Sequence, residues 1–166
     1  MLLLHGFPQN WYCWRHQLQE FRKRFRVVAL DMRGYNASGA PSGEKSYEIP
    51  LLVEDVREVI EMLGTKDKQG SVKAIVVGHD CGGVLAWVFT AQHPNLVEKL
   101  ILMNTTHPSA LIGDALSPRL LSIPPPVPRP SNNRAEAEAA SAPPSSRSPS
   151  GWWGLVASQH KGSPHT

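Results

Sequence analysis

Short, wholly apolar runs alternate along this chain with longer segments whose apolar positions recur every three or four residues. The runs are Met1-Leu2-Leu3-Leu4, Val27-Val28-Ala29-Leu30, Ala74-Ile75-Val76-Val77 and Leu100-Ile101-Leu102-Met103. Each has the length of a strand buried on both faces. Between the first two, Trp11, Trp14, Leu18, Phe21 and Phe25 follow at spacings of 3, 4, 3 and 4, one stripe of a helix over 10–25. A second helix starts near Pro50, which suits a first turn. It buries Leu52, Val56, Val59, Ile60 and Leu63 and stops at Gly64. The third strand runs over 72–77, and the segment from Gly82 to His93 is apolar nearly all round, as a helix enclosed on every side would be; Pro94 ends it. Strands alternating with helices predict an α/β fold, a parallel sheet with right-handed crossovers and helices on both faces.

Beyond Gly113 both periodicities are lost. Residues 117–151 hold 9 prolines and 8 serines in 35 positions. Such a stretch buries too little apolar area to offset its chain entropy. The expectation is a core over 1–112 and a disordered tail over 113–166, with Trp152 to Val156 an apolar patch of no assigned place. A Pro-rich tail can also serve as a ligand for a peptide-binding domain, although no basic residue stands at a clear flanking spacing.

Charge and cysteine content narrow the function classes. The net charge is +3, and residues 1–112 carry 12 Lys and Arg against 11 Asp and Glu. No basic stripe marks a nucleic-acid surface. Cys13 and Cys81, the only cysteines, fit no metal spacing and no disulfide framework, so no metal or cofactor is expected and a reducing, cytoplasmic compartment suits them. Met1 to Leu4 is too short for a signal-peptide core. No stretch approaches the roughly 18 apolar residues of a membrane span, and a soluble chain is expected.

The candidate chemistry lies in Gly78-His79-Asp80-Cys81-Gly82-Gly83. A strand passing abruptly into a helix needs small residues around the apex of the turn, and the apex side chain is thrust out above the sheet. Here the apex is Asp80. A carboxylate there can displace at an sp³ carbon and form an enzyme ester. Water attacking that ester creates an oxyanion on the protein's own side chain, which backbone amides must hold. Cys81 N–H is one expected donor, and Phe7 N–H, in His5-Gly6-Phe7-Pro8, is the other. The bland alternative is a tight turn with Asp80 as an N-cap. For Cys81 the alternatives are a thiol activated by the helix N-terminus and a small residue packed under a turn.

Three motifs in order, His5-Gly6-Phe7-Pro8, Asp31-Met32-Arg33-Gly34-Tyr35-Asn36-Ala37-Ser38-Gly39-Ala40-Pro41 and Gly78 to Gly83, resemble the α/β-hydrolase superfamily and within it the epoxide hydrolases. Trp11, Trp14 and Arg15 look most like the animal membrane-anchored members. The resemblance covers about the first two-thirds of the chain and implies a partial α/β-hydrolase fold whose four strands lie in the family order 4-3-5-6, with the site at their carboxyl ends. The family chemistry is opening of a small-molecule epoxide to a diol through an aspartyl ester, with Asp80 as nucleophile. His5 becomes a structural hydrogen-bonder, and His79 points toward the core side of the turn. Arg33 pairs with nearby carboxylates and, with Asp31, braces the site. Asn36 stands where the pattern has glycine, a position that calls for a positive φ.

Against the family pattern, two preceding strands, a helical lid with its tyrosines, and the late acid and histidine have no counterpart here. The chain reads as truncated at both ends, without the anchor of such relatives. Tyr12, Tyr35 and Tyr47 all precede the elbow and match no lid tyrosine. His107, just past the last strand, is the better placed candidate base, since neighbouring strands lie only ~4.8 Å apart; His160 and His165 fall in the tail. Cys81 stands where many relatives have tryptophan. Haloalkane dehalogenases use that indole for the departing halide, so epoxide opening is favoured. Impaired hydrolysis, an inactive truncated form and an interaction protein using the tail remain as readings, and open sheet edges imply a tendency to self-associate.

Overall fold

The computed structural model describes residues 1–106 and 154–158. Strands β1 (Leu2–Leu4), β2 (Val27–Asp31), β3 (Ala74–His79) and β4 (Val97–Met103) form a parallel sheet, and β5 (Gly154–Ser158) joins it. The spatial order is β4-β3-β1-β2-β5. The four parallel strands thus follow the order implied by the sequence resemblance. Leu3 pairs with Ala29 on one side and with Val77 on the other, which puts β1 at the centre.

The uniformly apolar strands divide their side chains between two helical layers. Leu2, Leu4, Val28, Leu30 and Val76 face α2 (Ile49–Leu63) and α3 (Cys81–Gln92). Leu3, Val27, Ala29, Ile75 and Val77 face Trp14 and Leu18. Burial on both faces is why no polar alternation marks β1, β2 and β3. Leu85, Ala86 and Phe89 of α3 are buried among the first group, and full burial of each large apolar side chain contributes about 1.5–3 kcal/mol. Gly64 follows the last residue of α2, where a Cβ would stand 2.1 Å from Val72 Cγ1. Close packing as well as helix termination therefore calls for glycine there.

Besides a third strand that starts and ends two residues later than the expected 72–77, the structure departs from the expected elements in three places. The helix over 10–25 is a 3-10 turn (Trp11–Trp14) followed by a short helix, α1 (Arg15–Phe21). Asn10 caps the turn by accepting from Tyr12 N, and Trp11 N donates to Asp31. These bonds tie the start of the segment to loops and keep it from winding as one regular helix. Trp14 and Leu18 are buried, whereas Phe21 and Phe25 are exposed, because the stripe outruns the sheet face beneath it.

Second, residues 154–158, placed in a tail expected to be without structure, form β5, antiparallel to β2 with Val27 opposite Ser158 and Asp31 opposite Gly154. The expectation of two open edges is corrected on this side. On the other side β4 has no further strand among the described residues, and its Ile101 and Met103 are exposed. Third, β4 is longer than the apolar run, because Val97, Glu98 and Lys99 extend it as an edge strand. Among the described residues no helix is long and apolar enough to cross a membrane.

Candidate active site

The turn from β3 into α3 is built from backbone packed on backbone. A Cβ on Gly78 would stand 2.5 Å from Gly82 O and 2.6 Å from Gly83 Cα; one on Gly82 would stand 2.3 Å from His5 O. On Gly83 it would meet Thr105 Cγ2 at 2.6 Å, and on Gly6 it would meet Asp80 Cβ at 2.6 Å. Each of these four glycines lets one chain segment approach another more closely than a side chain permits.

Asp80 sits at the apex with φ +54 and ψ −124. A non-glycine residue held there costs of order 1–3 kcal/mol, which the surrounding packing sustains. Although Asp80 occupies the N-cap position of α3, its side chain makes no capping bond. Its Oδ1 instead accepts from Phe7 N at 2.9 Å. That geometry removes the plain N-cap reading. The turn is fixed by Asp80 N donating to Met103 O and by Gly83 N and Val84 N donating to Asp80 O.

Partial burial works against the Asp80 charge. The Phe7 and Cys81 amides, the Cys81 thiol and the nearby His79 outweigh it, and the carboxyl is held below its ordinary value. The position at a helix N-terminus acts in the same sense. The Cys81 thiol shows the converse. Burial, then the Asp80 charge, push it up to about 12, so it is a neutral neighbour and not an activated thiol.

His5 is fully buried. Its Nδ1 lies 2.9 Å from Gly6 O, and its Nε2 accepts from Met32 N at 3.1 Å. The proton therefore sits on Nδ1, and burial holds the ring below its ordinary pKa. The Phe7–Pro8 peptide bond of the same loop is cis. His79 is half-buried, and its Nδ1 lies 3.1 Å from Gln9 Oε1. It is engaged across the turn with that loop. The Gln9 oxygen also accepts from Gly6 N at 3.2 Å.

Asp31 is buried at the end of β2. Its Oδ1 accepts from Trp11 N at 2.9 Å, and its Oδ2 from Asn36 Nδ2 at 2.8 Å and Ala37 N at 3.3 Å. Asn36 has φ +44, the conformation expected of a residue in a glycine position. Arg33 forks onto Asp55 of α2, with Nε donating to Oδ2 at 2.8 Å, and its Nη1 donates to Ser46 O. The loops beside Asp80 are thus tied to one another and to α2. His107 lies outside the described residues.

Two residues here, Gln9 and Asp55, were not singled out from the sequence, and Tyr35 was weighed there only as a tyrosine that matches no lid position. Gln9, which links Gly6 and His79, carries no periodic or motif signal. Asp55 sits on the buried face of α2, and a charged residue in that apolar stripe was the available clue. The Tyr35 ring packs edge-on to His5 with centroids 4.8 Å apart. Its hydroxyl is buried without a hydrogen-bond partner among the described residues, and burial, followed by the neighbouring Cys81 and Asp80 side chains, pushes it up to about 12. Among the described residues no His, Cys, Asp and Glu cluster is arranged to hold a metal ion.

The family model described as "alpha/beta hydrolase fold" matches residues 1–126. Epoxide hydrolase 4 of Mus musculus is 47% identical over 109 residues, 66% of this chain and 29% of the relative. Epoxide hydrolase 3 of Xenopus tropicalis is 47% identical over 117 residues, 70% of this chain and 30% of the relative. Among solved structures, an inhibitor complex of the Bacillus megaterium epoxide hydrolase superposes with a TM-score of 0.59 at 50% identity, covering 64% of this chain and 36% of that one. The chain thus spans about a third or less of the length of these relatives. With its sheet order, its glycine-packed elbow and the family match, the chain belongs to the α/β-hydrolase family, and the relatives it resembles over this stretch are epoxide hydrolases.

Proposed function

We propose that Asp80 is the nucleophile of an epoxide-opening reaction. An Asp80 oxygen attacks an sp³ ring carbon of a small epoxide, the ring C–O bond breaks, and the departing oxygen takes a proton from solvent water, leaving a hydroxyalkyl ester on the side chain. When water then attacks the ester carbonyl, the Phe7 and Cys81 amides are the donors for the oxyanion, whose collapse breaks the acyl C–O bond, releases the diol and restores the Asp80 carboxylate. The observation that carries this reading is the 2.9 Å bond from Phe7 N to Asp80 Oδ1. An amide already seated on that oxygen needs little movement to hold it when charge develops there.

The hydrolytic half needs a base. Both His5 ring nitrogens are engaged by backbone groups, and His79 Nδ1 is engaged by Gln9. These commitments favour a chain that forms the ester more readily than it releases it. His107 is the candidate base we carry from the sequence. The two cysteines, both free thiols, support a reducing, cytoplasmic setting for this activity.

Incubation of the full chain with a labelled aryl epoxide, followed by intact mass and diol quantitation, tests the reading. We expect up to one equivalent of adduct in the wild type, none in Asp80→Asn, and diol near background. Sustained diol production that disappears in Asp80→Asn would show that a base is present and overturn the stalled form of the proposal. Neither adduct nor diol would overturn the nucleophile assignment.

A further inference from the structure

The pairing of β5 with β2 reaches Asp31, the residue that ties the loops beside the site together. β2 would otherwise present a free edge of backbone donors and acceptors. The segment Gly154–Ser158 runs antiparallel along its whole length, five residues against five, from Val27 opposite Ser158 to Asp31 opposite Gly154. From β4 to β5 the sheet spans four strand spacings, roughly 19 Å at ~4.8 Å each. The fifty intervening residues, 104–153, can cover that distance several times over. One chain can therefore supply both strands.

Asp31 holds the ends of two loops. Its carboxylate accepts from Trp11 N on one and from Asn36 and Ala37 on the other, while its backbone oxygen accepts from Ser38 Oγ. Trp11 directly follows the His5–Asn10 loop that presents the Phe7 amide to Asp80. Displacement of the β2 end thus alters the footing of that loop, whereas a paired β2 holds it.

We propose that Gly154–Ser158 is an intramolecular latch: by pairing with β2 it fixes Asp31 and so steadies the loop that carries the Phe7 amide. The latch is an edge strand joined to the sheet along one side, and such elements open at lower free energy than the sheet centre. It has two states, docked and released, and its occupant is this chain's own C-terminal segment. The assignment does not depend on the reaction proposed for Asp80.

Two measurements on the full chain test it. In the double variant Ala29→Cys with Val156→Cys the new cysteines lie directly opposite each other, within reach of a disulfide. Mild oxidation followed by peptide mapping should give an intrachain 29–156 bridge. Ala29→Cys with Leu155→Cys should bridge at least tenfold less, because neighbouring strand residues point to opposite faces. Absence of the 29–156 bridge, or a bridge found only between chains, would overturn the assignment.

The second measurement is amide hydrogen exchange in Val156→Pro, which breaks the strand. The β2 amides, together with those of Trp11 and Phe7, should exchange at least tenfold faster than in the wild type, with α2 unchanged. Unchanged β2 exchange would contradict docking. Faster β2 exchange with Trp11 and Phe7 unchanged would reduce the segment to an edge cover and overturn its role in bracing the loop.

Discussion

Phe7 N donates to Asp80 Oδ1 at 2.9 Å although 73 residues separate them in the chain. With the Cys81 amide this contact outweighs the cost of partial burial and keeps the carboxyl below its ordinary 3.8. The Asp80 carboxyl, the proposed nucleophile, is therefore ionised throughout the neutral range. The rate of Asp80 alkylation should be flat from about pH 8 down to about pH 5 and fall only at more acidic values. Phe7→Ala, which keeps the amide, should leave that profile in place. A rate rising with an apparent pKa near neutrality would show that another group governs the step.

Gly82 is the tightest of the elbow glycines, with a Cβ position 2.3 Å from His5 O and 2.6 Å from Leu4 O. Both obstacles are backbone and cannot swing aside. Gly82→Ala should lose about 2–3 kcal/mol or fail to fold, within the range for overpacked sites. Gly43 has φ +86 with nothing within 4 Å. Gly43→Ala there meets only backbone strain and should cost about 1–2 kcal/mol. Urea unfolding midpoints of the two variants, compared with the wild type, check the order.

Burial lowers the His5 pKa below its ordinary 6.5. An unfolded chain takes up this proton near 6.5, whereas the folded one resists it until the pH is lower. Below 6.5 the unfolded state binds more protons, so His5 makes stability fall as pH falls through the interval down to its folded pKa. Urea midpoints should drop between about pH 7.5 and pH 5.5, and the drop should be smaller in His5→Gln, which begins from a lower stability. An equal drop in the variant would remove His5 as the cause.

The Cys81 thiol, raised to about 12, carries little thiolate at neutral pH. Alkylation by iodoacetamide at about pH 8 should be at least about tenfold slower for Cys81 in the native chain than in urea. Rapid native labelling would show that the thiol is activated.

The parallel sheet was legible because four apolar runs alternate with helical segments, and the strand order was implied by the resemblance of the motifs to the α/β-hydrolases. The elbow was legible because small residues crowd around Asp80. Gln9 was not, because a glutamine in a loop carries no sign of the two groups it joins. The break at Arg15 between a 3-10 turn and α1 was hidden by a stripe that reads the same for either geometry. β5 was hidden for a different reason. Gly154 to Ser158 is short and follows a Pro- and Ser-rich stretch, and only pairing with a partner distant in sequence makes it a strand. His107, the candidate base, lies outside the described residues.

The most direct test of the account is the position and chemistry of the epoxide adduct. After reaction with a labelled aryl epoxide, fragmentation of the peptide containing both Asp80 and Cys81 should place the label on Asp80 as an ester that dilute alkali removes, with no such label in Asp80→Asn. An alkali-stable label on Cys81 or Cys13, or an adduct that persists in Asp80→Asn, would contradict it.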